Sequence, residues 1–191
     1  MITSKTYLIN QLTAMENAKR VNRLRVANLV LENQSLFKHL LDLTFEINNK
    51  LSIRAAWVLE FVCEKKLDWL APYLNYFTKN IGLLKFDSAI RPASKICEFL
   101  AKAYTANDTS FIQSQLKTNH INIIIETCFD WLIGNQKVAV KAYAMETLFL
   151  FGKNEEWVHQ ELQLILQHNM INESAAYQAR GKKILSWIRK K

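Results

Sequence analysis

Apolar residues recur at intervals of three and four positions in segment after segment from residue 16 onward, and short polar breaks separate these segments. This spacing places the apolar side chains on one face of an α-helix. The pattern therefore predicts an all-α fold. It predicts helices over 16–32, 34–47, 51–65, 68–80, 88–104, 119–133, 136–151, 155–168 and 173–189, with a shorter helix near 4–13.

The scarcity of glycine and proline also favours helices. The 191 residues include only four glycines and two prolines, whereas the tight hairpins of strand-rich folds need residues with positive or fixed φ. Gly82 and Gly152 each follow a predicted helix, where a glycine commonly ends it. The most polar interval, 105–118, predicts an insertion or a loosely helical loop.

A similar pattern recurs along the chain and indicates a repeat. "IRAAWVLE" begins at Ile53, "IRPASKICE" at Ile90, "VKAYAMETL" at Val140 and "YQARGKKIL" at Tyr177. The starts are 37, 50 and 37 residues apart, and the longer interval contains the polar insertion. Because about 37 residues correspond to one helix pair, the frame predicts antiparallel helix pairs stacked as an α-solenoid. A compact helical bundle is the alternative, and 1–191 is predicted to be a single domain.

The recurring segments resemble HEAT and armadillo-like repeats. In the first three, an apolar residue and then an arginine or lysine open the second helix of a pair, and alanines and a long aliphatic residue follow. The resemblance covers roughly residues 34–189. It implies helix pairs stacked into a superhelix whose second helices form a concave surface.

Four segments are also similar to short bacterial proteins often labelled adenylosuccinate lyase: "RAAWVLEFVCEKKLDWLAPYL", "DSAIRPASKICEFLAKAY", "CFDWLI" and "KVAVKAYAMETLFLFGK". This resemblance implies a lyase activity on adenylosuccinate. The full-length lyases carry a mobile loop of the pattern SSxMPxKxNP, which the sequence does not contain. The lyase interpretation therefore depends on the label alone.

Charged and aromatic residues at corresponding positions of the repeats form the candidate binding surface. If the repeats stack, these side chains line one surface and can hold a peptide or an anion. The alternative is structural pairing, either within a helix, as for Lys95–Glu98 and Glu98–Lys102, or between arginines and carboxylates of adjacent repeats. The candidate residues are Arg54, Trp57, Glu60, Arg91, Lys95, Glu98, Lys141, Glu146 and Arg180.

Two of the five tryptophans, Trp69 and Trp131, directly follow an aspartate. An exposed aromatic ring beside a carboxylate in a basic cleft would suit the excision of a DNA base, as in some HEAT-like alkylpurine DNA glycosylases. Against this, both tryptophans lie among apolar residues at helical spacing, which favours a place in the core. Asp68 can instead cap a helix.

The net charge of +8 allows a nucleic acid, an anionic membrane or an acidic protein as partner, and does not choose among them. Two basic clusters lie on predicted helices. One is on the C-terminal helix and the other on the first long helix. Their members are Lys182, Lys183, Arg189 and Lys190, and Lys19, Arg20, Arg23 and Arg25, respectively.

The sequence contains no motif that indicates a cofactor, a metal or a catalytic nucleophile. The four histidines form no HExxH pattern, no glycine-rich phosphate loop occurs, and the three cysteines are isolated among apolar residues, as expected of reduced core thiols. No apolar run is long enough to span a bilayer, and the first residues lack a signal-peptide pattern, so a cytoplasmic location is expected.

Together these features favour binding over catalysis. The predicted function is that of a non-catalytic scaffold that holds a protein or peptide on the concave face of a small helical repeat array. DNA binding with possible base excision is the alternative, and lyase activity is the third interpretation. The oligomeric state does not follow from the sequence.

Overall fold

The computed structural model describes residues 4–190, and over this range the chain forms eleven α-helices and no strand. The predicted all-α fold is thereby confirmed. None of these helices is both long and apolar enough to cross a membrane. The helices are α1 (Ser4–Thr13), α2 (Arg20–Glu32), α3 (Ser35–Thr44), α4 (Leu51–Lys65), α5 (Leu74–Ile81), α6 (Asp87–Tyr104), α7 (Phe111–Gln115), α8 (Thr118–Ile133), α9 (Val138–Phe151), α10 (Glu156–Asn169) and α11 (Ala175–Ile188).

The chain divides into two compact units, and the boundary falls inside α6, between Ile96 and Cys97. Each unit has its own apolar core, built from the residues at three- and four-residue spacing. The first core includes Leu40, Leu41, Val58, Leu59 and Phe77. The second core includes Ile124, Cys128, Ala144, Leu148 and Leu162.

A proline divides the helix predicted over 68–80. The structure forms a 3₁₀-helix over Leu67–Tyr73, with Pro72 inside it, followed by α5. Because proline has no backbone N–H, Pro72 cannot form the bond to the carbonyl four residues earlier that an α-helix requires. The predicted single helix is therefore wrong in this segment.

The helix predicted to begin at residue 16 begins at Arg20. The Asn17 side-chain oxygen accepts hydrogen bonds from the backbone N–H of Lys19 at 2.9 Å and from the Asn22 amide at 3.0 Å. Such local bonds of an asparagine side chain compete with helix formation and hold the chain in a turn. Their effect is to place Arg20 and Arg23 in the first turn of α2.

Two helices end at a glycine that does not adopt the left-handed backbone conformation. Gly82 follows α5 with φ −69°, and Gly152 follows α9 with φ −63°, both in the right-handed region. At Gly152 the requirement is for space, because an alanine Cβ there would lie 2.6 Å from Nε2 of the buried His159. Glycine therefore allows α10 to approach the end of α9.

Candidate functional site

A buried glutamate on α4 holds two cations of α6 in the first unit. The Glu60 side chain is only 4% exposed, and its two oxygens lie 3.2 Å from Arg91 Nη1 and 3.2 Å from Lys95 Nζ. Arg91 and Lys95 are four residues apart and share one face of α6. A carboxylate this deeply buried needs such partners to keep its charge.

The next residue of α4 holds two further cations, from α2. The guanidinium carbons of Arg20 and Arg23 lie 5.0 and 5.2 Å from the centroid of the Phe61 ring, a cation–π arrangement. Neither arginine forms an ion pair with a carboxylate within residues 4–190.

The Glu60 surface is defined here as Arg20, Arg23, Arg91 and Lys95, together with Glu60 and Phe61, which hold them. Since Glu60 and Phe61 are adjacent on α4, cations from α2 and α6 are held at the same stretch of this helix. Arg91 and Lys95 meet Glu60, whereas Arg20 and Arg23 meet the uncharged Phe61 ring. The surface as defined therefore contains four cationic side chains and one carboxylate.

Arg54 links α4 to the end of α1. Its Nη1 donates to the carbonyl oxygens of Leu12 at 2.9 Å and Thr13 at 2.7 Å. These carbonyls end α1, where the helix leaves acceptors unsatisfied and the dipole favours a cation. The partners of Arg54 are thus backbone carbonyls, whereas the sequence suggested a carboxylate or an external ligand.

Trp57 compensates for the proline of α6. Pro92 has no N–H to donate to the carbonyl of Ser88, four residues earlier. The indole Nε1 of Trp57 donates to this carbonyl oxygen at 2.9 Å. The bond fixes the indole against α6, so it gives Trp57 a structural role.

In the second unit, a glutamate on α9 holds cations from two other helices. Glu146 lies 3.0 Å from Nζ of Lys102 on α6 and 2.7 Å from Nη1 of Arg180 on α11. Lys102 also pairs with Glu98 one turn earlier on α6, as predicted from their spacing. Burial lowers the pKa of Lys102, but hydrogen bonds to Glu98 and Glu146 outweigh it, so this pKa lies above the ordinary lysine value. These four residues, the Glu146 cluster, contain equal numbers of positive and negative side chains.

Glu60–Arg91 and Glu146–Arg180 are similar pairs in the two units. In each, a glutamate from the middle of one helix accepts from an arginine near the start of a later helix, 31 or 34 positions further along the chain. This pairing of arginines with carboxylates was the structural alternative from the sequence. Lys141 is paired too, at 2.6 Å from Glu173, and only 7% exposed.

The tryptophans that follow aspartates are held by packing contacts. Trp131 is 5% exposed, and Trp69 packs edge-on against Phe37 with ring centroids 5.8 Å apart. These contacts agree with the core interpretation.

Buried thiols do not provide a nucleophile. Cys63, Cys97 and Cys128 are free and buried, as predicted, and burial raises the pKa of Cys63 and Cys97. A protonated, buried thiol is unreactive. Within residues 4–190, no cluster of three histidine, cysteine, aspartate or glutamate side chains could hold a metal ion.

Helical spacing alone could not identify the partners of the site residues. The sequence indicates Arg20 and Arg23 as part of a basic cluster, but it does not indicate their contact with Phe61.

The chain matches no protein-family model, no curated protein and no solved structure. The HEAT-like and lyase resemblances therefore remain expectations from the sequence, and the residues of the two units are the basis for assigning a function.

Proposed function

We propose that this protein is a non-catalytic, HEAT-like helical repeat protein that binds an acidic segment of a partner protein on the Glu60 surface. The observation that carries the proposal is the set of four cations held around Glu60 and Phe61. In this proposal the helix pairs α3/α4, α5/α6, α8/α9 and α10/α11 are the repeats of a solenoid. The recurrence of the glutamate–arginine pair supports that assignment.

The held cations are well prepared for a carboxylate ligand. Ordering a long side chain during binding costs about 0.5–1.5 kcal/mol, and Glu60 and Phe61 already restrict the four side chains. Guanidinium groups also match carboxylates with two parallel hydrogen bonds. The Arg91 side chain is 37% exposed and that of Lys95 is 23% exposed, so solvent still reaches both. An acidic segment can therefore meet cations that lose little freedom on binding.

A protein ligand is favoured over DNA by the surroundings of the aromatic residues. Base excision was suggested by tryptophans beside aspartates, and Trp131 is buried while Trp69 packs on Phe37. The DNA alternative then depends on net charge, which suits an acidic protein equally well.

Lyase activity stays an inference from resemblance, and release of fumarate from adenylosuccinate by the pure protein would test it.

A peptide-binding measurement tests the proposal. We expect the labelled peptide Ac-EEEEAEEEE-NH2 to bind, and the double variant Arg20→Glu/Lys95→Gln to weaken binding at least about tenfold, or ~1.4 kcal/mol. The Lys95 change leaves Glu60 paired with Arg91, so the fold is kept. Fluorescence anisotropy at low salt measures the affinity.

The matched control is Lys50→Glu/Lys79→Gln, which changes the net charge equally in the same unit, at two exposed lysines outside the Glu60 surface. It should weaken binding by less than about threefold. Equal losses in both double variants would reject the Glu60 surface as the site. Tighter retention of duplex DNA than of the peptide, with a steep salt dependence, would favour the DNA alternative.

A further inference from the structure

A pocket of about 340 Å³ lies in the second unit, next to the Glu146 cluster. It lies at the lower limit of the roughly 300–1,000 Å³ of known ligand pockets, which is enough for one ring-bearing side chain. The residues that line it come from α9, from α11 and from the turn after α11. They are Glu146, Phe149, Leu150, Trp187 and Lys190.

Its walls are aromatic and held in place. The Phe149 and Trp187 rings are 5.2 Å apart between centroids. The buried His159 ring stacks on Phe149 at 5.4 Å, and its Nε2 lies 2.8 Å from the Phe149 carbonyl oxygen. Because these contacts fix Phe149, the pocket exists without a ligand, and an incoming ring gains edge or offset contacts with both walls.

The charges around the pocket favour an anion. Lys183 Nζ lies 4.8 Å from the Trp187 ring centroid, and Lys190 lines the pocket; both lysines are exposed. The only carboxylate in the lining, Glu146, is already held by Lys102 and Arg180. A cationic ligand would have to displace lysine from the aromatic face and meet further positive charge, whereas a carboxylate meets two exposed ammonium groups.

We propose that this pocket takes an aromatic side chain flanked by carboxylates, supplied by a partner protein. The inference rests on the proposed function, because it gives the acidic partner protein a second feature: an aromatic residue flanked by acidic ones. The ring packs against Phe149 and Trp187, which line the pocket together, and the flanking carboxylates reach Lys183 and Lys190. The pocket thereby adds a sequence preference to the binding of this partner.

Three matched peptides test the pocket: Ac-EEEEFEEEE-NH2, Ac-EEEEAEEEE-NH2 and Ac-KKKKFKKKK-NH2. We expect the acidic phenylalanine peptide to bind at least about tenfold more tightly than its alanine counterpart. In ¹⁵N-labelled protein it should shift the indole resonance of Trp187, which is assigned by its loss in Trp187→Phe.

Two double variants of the protein test the lysines. Lys183→Glu/Lys190→Glu should remove the preference for the phenylalanine peptide over the alanine peptide. Lys182→Glu/Arg189→Glu makes the same charge change at the neighbouring positions and should keep most of that preference.

The outcomes separate the pocket from the proposed function. Equal affinities of the two acidic peptides, with no shift of Trp187, would overturn the pocket inference and leave the Glu60 surface standing. Preferred binding of the lysine peptide would also overturn it, because the pocket would then be a cation site. A shift of Trp187 by the acidic phenylalanine peptide, with unchanged affinity in Arg20→Glu/Lys95→Gln, would support the pocket and reject the Glu60 surface.

Discussion

Replacing Gly152 with alanine is expected to lower the free energy of unfolding by about 3 kcal/mol. The new Cβ would lie 2.6 Å from His159 Nε2, and His159 is only 1% exposed, so its ring has little room to move. Overpacking costs roughly 1–3 kcal/mol, and displacing the ring also breaks its contact with the Phe149 carbonyl, worth about 1 kcal/mol. Urea unfolding followed by circular dichroism measures the change.

Gly82→Ala is the matched control, because Gly82 ends α5 with nearly the same backbone angles and is exposed. Where the native φ and ψ suit alanine, this replacement stabilises by about 0.4–1 kcal/mol, since it restricts the unfolded chain. If the free energy of unfolding falls in Gly152→Ala and rises in Gly82→Ala, the glycine at 152 is required because a larger side chain has no room there. A similar small effect at both positions would contradict the close approach of His159.

Glu60→Gln is expected to lower the free energy of unfolding by about 2 kcal/mol. The neutral amide removes the negative charge that Arg91 and Lys95 share. Removing one partner of a fully buried pair costs roughly 3–5 kcal/mol. We expect less here because solvent screens the partly exposed Arg91 and Lys95. Chemical denaturation gives the value.

Glu64→Gln, one turn further along α4 at an exposed position, is the control for Glu60. It should change stability by less than about 0.5 kcal/mol, as most surface substitutions do. If Glu60→Gln were as mild as Glu64→Gln, Glu60 would not be holding the two cations of α6.

Helical periodicity was sufficient to predict the all-α class and most of the helices. The ranges 4–13 and 51–65 agree with α1 and α4 to the residue. The two main errors occur where a single residue changes the local hydrogen bonding: Pro72 lies in a seven-residue 3₁₀-helix, and Asn17 delays the start of α2. A glycine at the end of α9 was expected from the position of Gly152. The reason for it is the close approach of the His159 ring, which the position did not indicate.

The sequence identified many of the residues of the candidate site, but it identified few of the contacts between them. Spacing within a helix correctly indicated Glu98–Lys102. It could not show that Lys95 reaches Glu60 on another helix, because that distance depends on how the helices pack. The bond from Trp57 to Ser88 has a local signal, since Pro92 leaves that carbonyl free, but nothing in the sequence specifies which donor takes it.

The central claim is that the cations around Glu60 and Phe61 bind an acidic segment. The most direct measurement is a titration of ¹⁵N-labelled protein with Ac-EEEEAEEEE-NH2, followed by two-dimensional NMR. We expect saturable shifts in the backbone signals of Arg20, Arg23, Arg91 and Lys95, and smaller shifts at Lys50 and Lys79. Shifts confined to residues outside the Glu60 surface, or no shifts at all, would contradict it.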